Sequence, residues 1–389
     1  MSTSQPRTIA LYVGSLGLGG AQRVLLWLAR ELQERGHRIV FITDEVGEGE
    51  RNIFRLDPGI KHEFIDLSEG RESAVGKLAI NFARVRKLRA ILRRNQADTI
   101  LAMLPRACVL AVLATRGMNC RAVIAERNAP WHRREEQPWE ALRRMTYRFA
   151  EKQVAQTRPI AEWLERETAS RAVHIIPNAV QLPLERLGGG LNPATWLNPN
   201  ARLLLAVGTK PWQKGFDLLV EAFARVASEH PEWDLAIVGL RSERQENGLS
   251  GEDIANLAAK AGLESRVHFP GHVGNMADWY DAADAFVLSS RFEGFPNVLI
   301  EALAAGKACV SFDCDTGPEE IIRDGIDGIL VREMTATALA SALSKVMGDP
   351  AVRAGLASEA PQVVDRYAPD AIMAKWCEVL DVTDERSAS

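Results

Sequence analysis

The chain has 389 residues, of which 47% are apolar and 25% charged, and its formal net charge at pH 7 is −4. This length allows two or three domains, and the composition is that of an ordinary globular protein. No stretch approaches the roughly 20 consecutive apolar residues of a membrane-spanning helix, so an integral membrane protein is excluded.

The amino-terminal residues show no signal-peptide pattern, because their apolar run is short and rich in glycine. The five cysteines form no CxxC pair, and their odd number argues against a disulfide framework. We therefore expect reduced thiols and a cytoplasmic location.

Charge is distributed unevenly along the chain. Residues 1–190 contain 30 Lys and Arg against 21 Asp and Glu, whereas residues 191–389 contain 17 against 30. A basic half joined to an acidic half indicates two domains with different partners. The basic half is the one expected to meet an anionic surface or substrate.

The first half alternates between strand-like and helix-like segments. The predicted elements are strand 9–13, helix 21–35, strand 38–43, a basic helix near 77–94, strands 99–103 and 122–125, a helix near 140–153 and strand 174–176. Such alternation is typical of a parallel sheet with helices on both faces.

Residues 185–200 are rich in Gly, Pro and Asn and indicate a linker, after which the pattern restarts. The predicted elements are strand 203–207, helix 216–229, strand 234–238, helix 252–261, strand 267–269, helix 276–282, strand 285–288, helix 297–305, strand 308–311 and a last helix over 370–382. We therefore predict two doubly wound α/β domains facing across a cleft. Ligands of such sheets bind beyond the carboxyl ends of the strands, which singles out the loops after the first and fourth strands.

A glycine-rich loop follows the first strand and reads GSLGLGGAQ over residues 14–22. Glycines between a strand and a helix bring backbone amides close to a phosphate. The dinucleotide fingerprint GxGxxG fits in neither register, because its glycine positions fall on Leu16 or Gln22. Asp44 stands where a ribose-binding acid would stand, so this interpretation stays open beside a turn that merely packs. The absence of GK[ST] excludes a P-loop.

The most informative stretch is residues 289–301, SSRFEGFPNVLIE, between a predicted strand and a predicted helix. Glu293 lies in the loop, Asn297 is a candidate helix cap, and Glu301 follows eight residues after Glu293. A helix start offers unpaired amides and partial positive charge to a phosphate. Carboxylates accept hydrogen bonds from sugar hydroxyls. The alternative is a capped helix with solvated glutamates.

This stretch resembles the E-x7-E motif of the retaining GT-B glycosyltransferases of family 4. Four further segments resemble motifs of that family in the same order, namely residues 19–24 (GGAQRV), 176–180 (IPNAV), 207–215 (VGTKPWQKG) and 316–322 (TGPEEII). Residues 102–111 and 125–130 resemble a branch that builds bacterial lipid-linked glycans. The resemblance implies a GT-B fold with two Rossmann-like domains. Residues 1–185 would bind the acceptor and residues 186–366 the donor, with a helix over 367–385 returning to the first domain.

The resemblance also implies residue roles. Glu301 would bind the donor ribose, Glu293 would contact the donor sugar, and Lys214 would neutralise the diphosphate, which Gly19 and Gly20 would approach from the first domain. The other implied donor-binding residues are Gly208, Thr209, Lys210, Gly294, Phe295, Pro296, Asn297 and Val298. A cation and a helix N-terminus would stabilise the leaving group electrostatically, so we expect no metal and no other cofactor. Asp313-Cys314-Asp315 is interpreted as a pair of loop carboxylates, with metal binding as the alternative.

Two positions depart from the family pattern. Thr209 stands where the family has Arg, and the neighbouring Lys210 can supply the charge but not the bidentate fork. The family's first-domain histidine is missing, and Glu126 and Arg127 occupy that loop. We therefore predict Glu126 and Arg127 as catalytic residues beside Glu293 and Lys214. His132 lies near this loop and is a further candidate.

The predicted helix over residues 77–94 carries seven basic residues and no acid. Its apolar residues, including Phe82, recur at helical spacing, which indicates an amphipathic helix. Either this helix faces the core with a solvated basic side, or it lies at an anionic membrane surface. In the second case the acceptor diphosphate or lipid would contact Arg84, Arg86, Lys87 and Arg89. Arginines 133, 134, 143, 144 and 148 would enlarge the patch. The acidic second half argues against nucleic-acid binding.

The sequence thus predicts a retaining, metal-independent glycosyltransferase at the cytoplasmic face of the inner membrane. The expected donor is a nucleotide-sugar of the UDP-N-acetylhexosamine or UDP-galactose type, and the expected acceptor is a lipid-linked or surface-polysaccharide glycan. Three alternatives stay open: an NAD-dependent oxidoreductase, a non-catalytic GT-B protein that binds nucleotide-sugars, and a GT-B epimerase.

Overall fold

The computed structural model describes residues 6–17, 19–44, 56–65, 74–184, 190–240 and 248–383, with the side chains of the helix that starts at residue 74 described from residue 79 onward. The chain forms two compact units. One contains the described residues up to Asn178 together with those from Asp370 onward, and the other spans Ala179–Pro369. The predicted domain boundary at residue 185 lies outside the described residues.

The first unit is built on a seven-stranded parallel sheet with strand order β3-β2-β1-β4-β5-β6-β7. Its strands are β1 (Thr8–Tyr12), β2 (Arg38–Thr43), β3 (Lys61–Phe64), β4 (Thr99–Met103), β5 (Arg121–Ala125), β6 (Lys152–Ala155) and β7 (Val173–Ile175). Its helices are α1 (Gly20–Glu34), α2 (Ala74–Arg94), α3 (Pro105–Thr115), α4 (Trp139–Thr146) and α5 (Arg158–Thr168). The strand order reverses between β1 and β4, which makes this the switch point of the sheet.

The second unit repeats the design with six parallel strands in the order β10-β9-β8-β11-β12-β13. The strands are β8 (Arg202–Val207), β9 (Trp233–Val238), β10 (Val267–Gly271), β11 (Ala285–Leu288), β12 (Ala308–Phe312) and β13 (Gly328–Val331). The helices are α6 (Phe216–Val226), α7 (Gly251–Lys260), α8 (Met276–Ala282), α9 (Asn297–Ala304), α10 (Pro318–Ile321), α11 (Ala336–Gly348), α12 (Pro350–Glu359) and α13 (Val363–Arg366). The switch point lies between β8 and β11.

A final helix, α14 (Pro369–Leu380), packs on the first unit. The residue after it, Asp381, pairs with Lys152 Nζ at 2.7 Å and with Arg121. Arg121 Nη2 also donates to the Leu380 carbonyl at 3.0 Å. These contacts hold the C-terminal end of α14 against the starts of β5 and β6.

The central strands are almost entirely apolar, as in β4, where all five residues are buried. Helices cover both faces of a parallel sheet, so its strands lack the alternation of a half-exposed strand. The predicted fold class is confirmed: each unit is a doubly wound α/β domain.

Several elements differ from the sequence prediction. The helix predicted near 140–153 ends at Thr146, continues as a 3-10 turn over Tyr147–Phe149, and is followed by β6. The prediction missed β6 because a strand beginning Lys-Gln carries no apolar signal, yet the Gln153 amide is buried and donates to the Tyr147 carbonyl at 2.8 Å. The prediction also missed the short strands β3 and β13 and the helices α3, α5, α10, α11, α12 and α13. In the described part of the chain, no helix combines the length and apolar character needed to cross a membrane.

Candidate functional site

The candidate residues of the second half gather at the switch point of the second sheet. Because β8 and β11 are neighbours, the loop over residues 208–215 that follows β8 lies beside the loop over residues 289–296 that follows β11. Open parallel sheets bind ligands at this position. The sequence motifs found in these two loops therefore lie together in space.

An ion pair between a half-buried lysine and a buried glutamate joins the two loops. Lys214 Nζ lies 2.7 Å from Glu293 Oε1, and the Ser290 hydroxyl donates to the same oxygen at 2.5 Å. The side chains of Lys214 and Glu293 are 16% and 8% exposed. Charge-assisted bonds of this kind hold both groups in a single geometry.

Backbone contacts make this pair possible. Gly215 has φ +62°, in the left-handed region, and a Cβ there would overlap the Ser289 carbonyl oxygen. The Ser289 hydroxyl donates to the Lys214 carbonyl at 2.7 Å. A Cβ on Gly208 would lie 2.6 Å from Lys214 Cγ, so the lysine stem crosses the backbone of Gly208. Glycine at position 215 therefore lets the two loops approach closely, and glycine at position 208 leaves room for the Lys214 stem.

The loop leads directly into α9. Asn297 is the first residue of the helix and not its cap, so the predicted Asn cap is wrong: the N-cap is Pro296, and no side chain caps the helix. The Thr316 hydroxyl supports the turn from the side, since it lies 2.6 Å from the Glu293 carbonyl and 3.2 Å from the Gly294 carbonyl. The start of α9 thus carries partial positive charge and has no side-chain cap hydrogen bond at its N-cap.

Glu301 lies one turn further along α9 and is 9% exposed. Its Oε2 atom lies 2.9 Å from the Tyr280 hydroxyl, which donates to it from the last turn of α8. The structure thus arranges a cation, a helix start and two carboxylates around one switch point. Such a set can hold an anion at the amine and helix start while the carboxylates accept hydrogen bonds from hydroxyl groups.

Of the other predicted donor-binding residues in the second unit, most belong to the same two loops, and Asn297 and Val298 begin α9. Thr209, Lys210, Asn297 and Val298 are half-buried, whereas Gly208, Gly294, Phe295 and Pro296 are buried. The Phe295 ring packs edge-on against Tyr367, with centroids 5.4 Å apart. Phe295 therefore contributes to the packing of the loop.

The glycine loop of the first unit follows β1 at the other switch point, and α1 begins at Gly20, directly after Gly19. Asp44, the candidate ribose-binding acid, accepts a 2.6 Å hydrogen bond from the Tyr12 hydroxyl, and its amide donates to the Gly14 carbonyl. Burial raises the pKa of the Tyr12 hydroxyl well above its ordinary value, and the negative charge of Asp44 raises it further. Asp44 thus has a structural partner inside the first unit.

Glu126 and Arg127 lie after β5 and are both buried. Glu126 Oε2 pairs with Arg143 Nη2 at 2.6 Å, and these side chains are 1% and 0% exposed. Burial raises the pKa of the Glu126 carboxyl, against the opposing charge of Arg143. Arg127 donates to the Asn178 side chain, and burial lowers the pKa of Arg127 to about 9. The structure therefore gives Glu126 a partner within the protein, while His132 is exposed.

The predicted basic patch is divided by the structure. Arg86 is exposed, whereas Arg84 is half-buried and Arg89 Nη1 donates to the carbonyls of residues 114 and 116. Arg143 does not enlarge the patch, because it is buried against Glu126. The apolar face of α2 continues beyond the core: Phe82 is 65% exposed.

Asp313 Oδ2 lies 3.7 Å from Arg332 Nη1. Burial raises the pKa of the Asp313 carboxyl, and the negative charge of Glu319 raises it further. Within the described residues, no group of three His, Cys, Asp or Glu side chains is placed to hold a metal ion.

Sequence reasoning missed the residues that support the site. Tyr280, Ser290 and Thr316 each direct a hydroxyl at Glu301, Glu293 or the backbone of the loop. Ser290 stands within the motif stretch, so its position was a usable signal. Tyr280 and Thr316 come from other elements, and their roles depend on tertiary packing.

Two family models match the chain. Residues 18–183 match the model described as Glycosyltransferase Family 4, and residues 201–349 match the model described as Glycosyl transferases group 1. Together these segments cover most of both units.

Curated and solved relatives span nearly the whole chain. A Campylobacter jejuni N-acetyl-D-galactosaminyltransferase that acts on an undecaprenol-diphosphate-linked glycan is 24% identical over 386 residues, which are 96% of this chain and 98% of the relative. Among solved structures, the Thermosynechococcus elongatus sucrose-phosphate synthase has a TM-score of 0.81 at 20% identity, covering 96% of this chain and 98% of that one. The Anabaena HepE protein in complex with UDP has a TM-score of 0.75 at 20% identity, covering 96% and 99%.

The structural likenesses show the fold, which is GT-B, and the group 1 model covers both candidate loops while the family 4 model covers most of the first unit. The chain therefore belongs to the family 4, group 1 glycosyltransferases.

Proposed function

We propose that this glycosyltransferase moves a sugar from a UDP-sugar to a lipid-linked or surface-polysaccharide glycan, with retention of anomeric configuration and without a metal ion. The cluster of Lys214, Glu293 and Glu301 around the start of α9 carries the proposal. HepE was solved with UDP, and the Campylobacter relative acts on a diphosphate-linked glycan, which supports both halves of the proposal.

Each group in the cluster has a task that suits its chemistry. The Lys214 ammonium and the start of α9 stabilise the negative charge that develops on the diphosphate as the anomeric C–O bond breaks. Glu301 accepts hydrogen bonds from the ribose hydroxyls, and Glu293 accepts them from the sugar ring. An acceptor hydroxyl attacks the anomeric carbon from the face of the leaving group, and its proton passes to the departing phosphate oxygen.

The donor sugar is proposed to be an N-acetylhexosamine or galactose type. In the first unit, the buried pair of Glu126 and Arg143 is proposed to support the loop that carries Arg127. The catalytic role predicted for Arg127 stays a prediction. The roles of Gly19, Gly20, Thr209 and Lys210 at the donor stay predictions.

We also propose that the enzyme binds the cytoplasmic face of an anionic membrane through the first unit. Helix α3 contacts both α2 and α4, and exposed apolar side chains flank it: Phe82 from α2, and Met145 and Phe149 from α4 and the turn after it. The guanidinium groups of Arg116 and Arg148 lie 4.6 and 4.9 Å from the Phe149 ring centroid. Exposed aromatic rings beside arginines suit the interface of an anionic bilayer.

The donor proposal is tested by calorimetric titration with UDP, UDP-sugars, GDP, ADP and NAD, each with and without EDTA. We expect UDP to bind in both conditions. Glu301→Gln should weaken UDP binding about tenfold, because a bond to a charged acceptor is lost. Glu293→Gln should mainly lower kcat, and the exposed Glu229→Gln should change neither.

Binding of NAD without UDP, or UDP binding that disappears with EDTA, would contradict the proposal. The configuration of the linkage formed from a UDP-α-sugar, read by NMR, tests retention: a β-linked product would exclude it.

A further inference from the structure

Tyr280 makes a contact that links the packing of the second unit to the candidate donor site. It lies in the last turn of α8 and is 1% exposed. Its ring packs against Phe286 of β11, with centroids 6.1 Å apart. Its hydroxyl crosses to α9, where it lies 2.9 Å from Glu301 Oε2 and 3.3 Å from the Val298 carbonyl oxygen.

The two possible acceptors differ in strength. A phenolic hydroxyl has one proton, and an ionised carboxylate is the stronger acceptor at the shorter distance. The Tyr280 hydroxyl therefore donates its hydrogen bond to Glu301. This hydrogen bond fixes the rotation of the Glu301 carboxylate.

We propose that Tyr280 is a positioning residue for donor recognition: its hydroxyl holds Glu301 in the orientation that accepts hydrogen bonds from the ribose hydroxyls. This inference rests on the donor role proposed above for Glu301. Because Tyr280 is held by α8 and β11, the Glu301 carboxylate is oriented before the donor arrives. Preorganisation of this kind lowers the ordering cost of binding.

A matched control exists in the same unit. Tyr367 is also buried, its hydroxyl donates to the Glu320 carbonyl at 2.6 Å, and its ring packs against Phe295 of the loop. Tyr367→Phe removes a buried hydroxyl as Tyr280→Phe does, but it leaves Glu301 with its partner.

The test compares the affinities of UDP and 2′,3′-dideoxy-UDP by calorimetry in wild type, Y280F, Y367F and E301Q. We expect wild type and Y367F to favour UDP by about tenfold or more, the contribution of bonds to a charged acceptor. In Y280F and E301Q this preference should fall to about threefold or less. The KM of Y280F for the UDP-sugar should rise with kcat within about twofold of wild type.

The preference is a ratio measured within each variant, so a loss of stability common to both tyrosine variants does not alter it. A preference retained in Y280F but lost in E301Q would overturn the role of Tyr280 alone. A preference absent from wild type, or unchanged in E301Q, would overturn the donor role of Glu301 itself. Equal losses in Y280F and Y367F would assign the effect to general packing.

Discussion

Replacement of Arg143 by Met tests whether Glu126 and Arg143 form a buried ion pair in the first unit. The structure places Arg143 Nη2 2.6 Å from Glu126 Oε2, with both side chains at most 1% exposed. Arg143→Met leaves the Glu126 charge buried without its partner, which typically costs about 3–5 kcal/mol. For a unit of this size, that corresponds to a loss of roughly 6–20 °C in Tm.

The pH dependence of the variant follows from the same geometry. Without Arg143, burial keeps the pKa of Glu126 well above its unfolded value of about 4.3. Between these two pKa values the folded state holds a proton that the unfolded state has lost, so stability falls as pH rises. The difference in Tm between wild type and R143M should therefore be larger at pH 8 than at pH 5.5.

Circular dichroism melts at several pH values provide the assay. Arg144→Met is the matched control, because the Arg144 side chain is 42% exposed, its partner Glu167 lies near the surface, and its buried partner Glu140 keeps Arg143 in this variant. Pairs with such an exposed member contribute about 1 kcal/mol or less. The double variant E126L/R143M should be more stable than R143M, since it removes the stranded charge. If the Tm of R143M at pH 8 lay within about 2 °C of the Tm of R144M, the reasoning would be refuted.

Two further predictions concern the donor loop and the membrane patch. Gly215→Ala should abolish measurable UDP binding, because the added Cβ would overlap the Ser289 carbonyl oxygen. Gly262→Ala is the control: Gly262 also has a positive φ but open space around it, so this variant should lose stability only. Calorimetric titration of both variants with UDP checks this, and intact UDP binding in G215A would contradict it. The double variant R86E/R148E should bind phosphatidylglycerol vesicles roughly 30-fold or more weakly in sedimentation assays, at about 1 kcal/mol per basic residue. The control Arg171→Glu, at an exposed position, should have little effect. Equal binding by wild type and both variants would refute the membrane-binding role of Arg86 and Arg148.

The local order of elements was largely readable from the chain. Alternation of apolar and amphipathic segments placed β2, β4, β8, β11 and α8 at or near their observed bounds, because buried parallel strands are continuous apolar runs. The failures were segments whose structure depends on partners. The start of β6 is polar, and it is a strand because β5 and β7 pair with it on either side.

The candidate site was predicted in the same partial way. Glycine, lysine and glutamate at fixed spacings mark the loops after β8 and β11, and the first residues of α9 follow from the turn before them. Nothing in one segment shows that Phe82 is exposed while Leu88, on the same helix, is buried. The neighbouring Arg143 and Arg144 look alike in the sequence, yet one is sealed inside the first unit and the other lies at its surface.

The sequence by itself determined the fold class, the two-part organisation and the choice of the two candidate loops, because these depend on periodicity and on residue types at short range. Only the tertiary structure decided which groups touch. The adjacency of β8 and β11 brings Lys214 to Glu293 across 79 positions of sequence, and the packing of α8 on β11 aims Tyr280 at Glu301. Contacts of that separation follow from strand order and packing, which local patterns do not encode.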